Sequence, residues 1–198
     1  MPLVSQAFPH ISHFQIRNRG TVCGSIAHAD PSAELPLCLL ALDGEVMLRS
    51  KRGTRIVPAK EFFLGTLLTA REPDELIEAV SYPLAKPGQH FAFDEFSMRH
   101  GDYAIVGLAV ATRVDQGKMH DTRLSFLGIG TTPVRARETE GFLDGHAPDA
   151  AVLQVAARIL ATELVGALAP LADLTNSAAT KRHLATVLLQ RVVGAFSK

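Results

Sequence analysis

The apolar positions of this chain follow two different periods. In the last third Val152, Val155, Ala156, Ile159, Leu160 and Leu164 recur three or four residues apart, as one face of a helix. Leu184, Val187, Leu188 and Val192 repeat that pattern near the C-terminus. Upstream the period is two. "HFAFDEFSM" (90–98) alternates, with Phe91, Phe93 and Glu95 on one face. "YAIVGLAVATRV" (103–114) and "TRLSFLGIG" (122–130) read as two more strands, joined by the polar turn "DQGKMHD". "PVRARETEGFLDG" (133–145) reads as a shorter helix closed by Gly145, with Arg135 and Arg137 on a solvated face. This order predicts a three-stranded antiparallel sheet packed on helices that cover one face.

The first half reads as mixed α/β. Residues 3–13 form a short helix interrupted by Pro9, and a second helix runs from Ser32 or Ala33 to Leu42, where Asp43-Gly44 ends it. "EVMLRS" and "TRIVP" are strands joined through "KRG". "AKEFFLG" is a single helical turn, and "DELIEAVSYP" is a strand stopped by Pro83. The Pro- and Gly-bearing segment "LAKPGQH" (84–90) separates the halves. The expected fold class is therefore α+β, with domains at 1–86 and 87–198.

Composition narrows the function classes. The 198 residues are 47% hydrophobic, enough for a folded core. Twenty Lys plus Arg balance twenty Asp plus Glu, so there is no electrostatic case for nucleic acid or an anionic membrane. No apolar run approaches the ~20 residues that span a bilayer, and the start has no secretion-signal pattern. Only Cys23 and Cys38 are present, which points to a reducing, cytoplasmic setting.

Chemistry concentrates in "IRNRGTVCGSIAHADPSAELP" (16–36). Clustered glycines let backbone amides converge on an anion, because no Cβ blocks the approach. The run Thr21, Val22, Cys23, Gly24, Ser25 predicts a loop beside a strand, with its amides facing a shared concavity. Glu34 is placed to accept from a ribose or adenine group. His10, His13, His28 and Asp30 are too loosely spaced for a metal site, and Asp30 reads as a turn residue before Pro31. His100-Gly101-Asp102 reads as a turn that caps the strand at Tyr103. No nucleophile pattern is present, so no catalytic residue is assigned.

That stretch resembles the second flavin-pyrophosphate loop of the FAD-binding subunits of molybdenum hydroxylases, the family of carbon monoxide dehydrogenase and xanthine dehydrogenase. The matching positions are Arg17, Asn18, Gly20, Thr21, Gly24, Ser25, Pro31, Glu34, Leu35 and Pro36. "EFFLG" and "PDELIEAVSYP" resemble the rest of that flavin domain. "FDEFSMRHGDYAIVGLAVA", "GIGTTPVRARETEGFLDG" and "SAATKRHLATVLLQR" resemble the family's C-terminal domain. The resemblance implies FAD as cofactor, with its pyrophosphate held by the amides of Thr21 to Ser25. It implies Glu34 as the acidic cofactor contact, and Leu76 and Ile77 against the flavin ring. It also implies two partners, a molybdopterin-binding large subunit and an iron-sulfur small subunit. Electrons would pass from the clusters to FAD and on to an acceptor, so the chain is not catalytic alone.

Three features depart from the family pattern. Nothing between Met1 and Arg17 resembles the family's first pyrophosphate loop, so the expectation is a partial FAD-binding subdomain. Such a chain would hold FAD weakly by itself and self-associate through uncovered apolar surface on residues 3–14. The alternative on this ground is a truncated assembly or interaction module that binds no FAD. Cys23 stands where the family prefers glycine: either φ is positive there, at a cost of about 1–2 kcal/mol, or Val22-Cys23 ends a strand and Cys23 packs as a small hydrophobe. Last, Asp94 and Glu95 occupy a region where the family often has a base.

Overall fold

Residues 1–197 are described by a computed structural model. The first half opens with α1 (Pro2–Ala7), a 3₁₀ turn at Phe8–His10 and α2 (Phe14–Arg17). Two further helices follow, α3 (Val22–His28) and α4 (Glu34–Ala41). Then come β1 (Glu45–Ser50), β2 (Gly53–Pro58), α5 (Ala59–Phe62), β3 (Phe63–Gly65), β4 (Leu68–Thr69) and β5 (Leu76–Ser81). β1 lies between β2 and β5 in an antiparallel sheet, and β3 and β4 form a separate hairpin. Pro9 stops α1 as expected, since the missing N–H and fixed φ favour the tighter turn. "AKEFFLG" is helical only over its first four residues and becomes a strand at Phe63.

The second half contains the three long antiparallel strands expected: β6 (Gln89–Ser97), β7 (Ala104–Asp115) and β8 (Lys118–Leu127). A two-residue strand, β9 (Val134–Arg135), is added at the β8 edge. It replaces the first turn of the predicted "PVRARETE" helix, which begins as α6 only at Arg137 (Arg137–Leu143). Helices α7 (Ala150–Glu163) and α8 (Ala178–Gly194) follow, capped by the side chains of Asp149 and Ser177. Residues 83–88, between β5 and β6, are neither helix nor strand.

The β6–β9 sheet is covered on both faces rather than one. Val106, Leu108, Val110, Leu124 and Phe126 meet Ala156, Leu160, Leu188 and Val192 of α7 and α8. The opposite face is lined by small residues, Ala109 and Ala111, with Leu127, and it receives Leu3 and Ala7 of α1 and Leu37, Cys38 and Ala41 of α4. The far side of α4, through Leu35, Leu39 and Leu40, packs on Val46 and Leu48 of β1. All eight residues of α4 are therefore buried, which explains its lack of a polar stripe. α4 is the shared wall between the two sheets.

Arg135 corrects the solvated-face expectation. Its side chain is buried on β9 and bonds both carboxylate oxygens of Glu140, at 2.7 and 2.9 Å. It also donates to Asp43, 3.0 Å away at the end of α4. Arg137 is exposed, as expected.

Candidate functional site

Residues 21–25 are helical, which overturns the predicted loop. Thr21 has extended backbone and is the N-cap of α3; its Oγ1 accepts from the Gly24 amide at 2.9 Å. A Cβ on Gly24 would lie 2.8 Å from that hydroxyl oxygen, so glycine is required by the cap and not by a positive φ. Val22 and Ile26, one turn apart, pack into the core under β1 and β5. That spacing after a threonine was the available helix signal. The helix ends at Ala29 in a left-handed conformation (φ 53°). Cys23 has ordinary helical backbone and carries no φ strain.

α3 points its first turn into a cleft of about 640 Å³, within the range of small-molecule sites. Phe8, Ile11 and Ile16 line it, together with Ala33, Glu34 and Leu35 at the start of α4. Gly101, Asp102 and Tyr103 form the rim. The amides of Val22 and Cys23 lie in the first helical turn, where an α-helix provides no acceptor. Arg17, Arg19 and His28 bring basic groups to the same space. Arg17 also braces the wall, donating through Nη1 to the carbonyls of Ile11 and Ser12, both at 2.7 Å. Asp30 holds the turn into α4 by accepting from the Ser32 amide at 2.8 Å, in line with its sequence reading.

Glu34 is buried, and burial pushes its carboxyl up to about 7, with the charge of Asp30 adding to the shift. Near neutral pH it can therefore either donate or accept a hydrogen bond.

Of the eight residues singled out by sequence, Thr21, Val22, Gly24, Ser25 and Glu34 line this one cleft. Cys23 is half-buried off its walls. Leu76 and Ile77 are on β5, outside the cleft; Leu76 is 74% exposed and Ile77 packs on the β1 core. Tyr103, 78% exposed and just before β7, also lines the cleft but was not singled out, because in the sequence it reads as the first residue of a strand. His10, His13 and His28 serve different places, and no group of three or more His, Cys, Asp or Glu among the described residues is arranged to hold a metal. Among those residues no helix is long and apolar enough to cross a membrane.

A helix N-terminus, apolar walls, basic groups and the buried acid Glu34 at a separate point make a donor set that fits a phosphate-bearing cofactor with a large ring system. The comparisons with known proteins agree. Residues 1–85 match the FAD binding domain in molybdopterin dehydrogenase, and residues 91–196 match the CO dehydrogenase flavoprotein C-terminal domain. The chain is 48% identical over 144 residues to the 6-hydroxypseudooxynicotine dehydrogenase complex subunit alpha of Paenarthrobacter nicotinovorans, covering 72% of this chain and 49% of that one. It is 30% identical to the carbon monoxide dehydrogenase medium chain of Hydrogenophaga pseudoflava, over 98% of this chain and 67% of that one. The chain thus spans half to two thirds of these relatives. The solved carbon monoxide dehydrogenase from Hydrogenophaga pseudoflava lacking the Mo-pyranopterin moiety superposes with a TM-score of 0.91 at 32% identity, over 98% of this chain and 67% of that one. On this evidence the chain belongs to the FAD-binding medium-subunit family of the molybdopterin dehydrogenases.

Proposed function

We propose that this chain is the flavin-binding medium subunit of a multi-subunit oxidoreductase, and that it holds FAD in the cleft at the start of α3. The observation that carries this reading is the convergence of Thr21, Gly24, Ser25 and Glu34 on one cleft inside a domain matched to FAD binding. The first-turn amides of Val22 and Cys23 and the Ser25 hydroxyl would take a pyrophosphate oxygen. Glu34, across the cleft, would hydrogen-bond a sugar hydroxyl or adenine nitrogen. Phe8, Ile11, Ile16 and Leu35 would give the cofactor apolar surface to pack against. Leu76, exposed on a strand that packs beside α3, offers an apolar platform for a ring extending beyond the cleft, with Ile77 supporting it from beneath.

Bound FAD would supply two-electron storage with one-electron entry and exit. The partners on this reading are a small subunit carrying iron-sulfur clusters and a large subunit carrying molybdopterin, where substrate is oxidised. The relatives' names as "medium chain" and "complex subunit" support an assembly of this kind. The chain's own contribution is to bind and orient the carrier and to keep solvent away. Its division at 86/87 into a cofactor-holding block and a C-terminal block is part of the same proposal.

The test is a titration of the chain with FAD, followed by quenching of flavin fluorescence. Gly24→Val, which drives a branched side chain into the Thr21 cap, is expected to weaken binding at least tenfold. Glu34→Ala is expected to weaken it by a smaller factor. Equal affinity in wild type and Gly24→Val would remove FAD from this cleft.

A further inference from the structure

The cleft wall at residues 8–12 rests on a buried carboxyl that lacks partners. Phe8, Ile11 and Ser12 face the cleft, while His10 between them turns toward β6. The His10 ring meets Phe93 edge to face, with centroids 4.9 Å apart. Its Nδ1 lies 3.6 Å from Oε1 of Glu95, too far for a hydrogen bond. The Glu95 side chain is 3% exposed, and its Oε2 has no hydrogen-bond partner. A neutral carboxyl tolerates such a place far better than a carboxylate does. The other fastenings of this segment are an amide and a guanidinium: Gln6 Nε2 donates to the Phe91 carbonyl at 3.2 Å, and Arg17 holds the Ile11 and Ser12 carbonyls.

We propose that residues 8–12 are a proton-controlled latch on the cleft wall, seated on β6 while Glu95 carries a proton and released when it ionises. The groups that face the pair are His10 from the 3₁₀ turn, Glu34 from α4, Asp94 from β6 and His100 from the turn after it. Burial, then the negative charges of Glu34 and Asp94, push Glu95 up to about 8. Asp94 is itself paired with Arg191 of α8 at 3.0 Å. His10 is held below the ordinary imidazole range, chiefly by burial; Asp94 opposes that shift and His100 adds to it.

The direction follows from linkage. A released Glu95 has an ordinary carboxyl pKa of about 4.3, so the seated state holds an extra proton between that value and about 8. Release therefore rises with pH across this window and levels off above it. His10 works the other way below about 6.5, because a released imidazole gains a proton that the seated one refuses. The interval from about 6.5 to about 8 thus excludes His10, and because Glu34, raised to about 7, also ionises within it, Glu95→Gln is what separates the two carboxyls.

The experiment is amide hydrogen exchange on the 198-residue chain without cofactor, corrected for intrinsic pH dependence. The Ile11 amide, bonded to the Phe8 carbonyl at 3.2 Å, reports the wall, and the β7 amides are the internal reference. Ile11 protection is expected to fall by up to about tenfold per pH unit between 6.5 and 8 and then flatten, with β7 protection falling less. Glu95→Gln is expected to remove that fall. Ile11 protection that tracks β7 at every pH, or the same slope in Glu95→Gln, overturns the latch. A second reading needs no variant: the side-chain carboxyl ¹³C shift of Glu95 is expected to titrate near 8, and titration below 5 overturns the proposal. Because no FAD is present, the outcome is independent of where the cofactor binds.

Discussion

Glu140 and Glu95 are both carboxylates with almost no solvent exposure, and the protein treats them in opposite ways. Glu140 accepts two hydrogen bonds from Arg135 and one from the Leu124 amide at 2.8 Å. Arg135 in turn reaches Asp43, which Arg123 also contacts at 3.1 Å. Every charge in that chain has an opposite neighbour, and the chain ties the end of α4 to β8 and β9. Glu95 sits at the other join between the halves, between β6 and the 3₁₀ turn, with one neutral imidazole nearby and one oxygen unpartnered. Burial is common to both, so burial does not set the outcome. A paired carboxylate makes a permanent joint, and an unpaired one makes a joint conditional on its proton.

The comparison can be strained from its largest element downward. Removing the whole first half is the severest test. Residues 88–198 alone are expected to unfold cooperatively, since the β6–β9 sheet with α7 and α8 holds its own core. They should do so at a lower temperature than the full chain, because Ala109, Ala111 and Leu127 lose the cover of α1 and α4. A non-cooperative calorimetric trace would mean the halves are one folding unit. Next, Glu140→Ala leaves Arg135 buried with only Asp43, at an expected cost of about 3–5 kcal/mol in urea unfolding; a loss under 1 kcal/mol would show the joint to be solvated.

Glu95→Gln should have the opposite sign. Wild-type stability contributed by protonated Glu95 and Glu34 is complete below the ordinary carboxyl range. It is lost as pH rises through about 7 for Glu34 and about 8 for Glu95. At pH 8.5 the glutamine variant is expected to be more stable than wild type by about 1–3 kcal/mol, the usual cost of a buried unsatisfied group. A destabilised variant at that pH would place a hidden partner on Glu95.

Parts of this arrangement were legible in the sequence. The alternation of Phe91, Phe93 and Glu95 placed all three on one face of β6, and that face does turn toward the first half. The α7 and α8 stripes marked the larger core, because each helix buries only one side. α4 gave its extent but not its role, since a helix buried all round has no polar face to read. The hairpin β3–β4 was missed because its turn has Leu67 at φ 55° where glycine or asparagine is usual. β9 was missed because two residues carry no period. At the candidate site, five of the eight residues singled out by sequence line one cleft, on a backbone other than the one expected: Gly20 and Gly24 suggested a loop, whereas Gly24 makes room for the Thr21 cap of a helix. Unpaired first-turn amides are still provided after that change, since a helix N-terminus presents them as a nest does.

The account's central claim is that FAD sits at the α3 N-terminus, and the most direct measurement compares two proteins. One is the 198-residue chain; the other is the same chain joined to the N-terminal third of a full-length relative. The joined protein offers the pyrophosphate further hydrogen bonds to a charged group, at roughly 1.5–3 kcal/mol each, and is expected to bind FAD more tightly than the 198-residue chain. The joined protein is expected to bind one FAD per chain and to lose it with Gly24→Val. A joined protein that binds no FAD, or that keeps full affinity with Gly24→Val, would contradict the account.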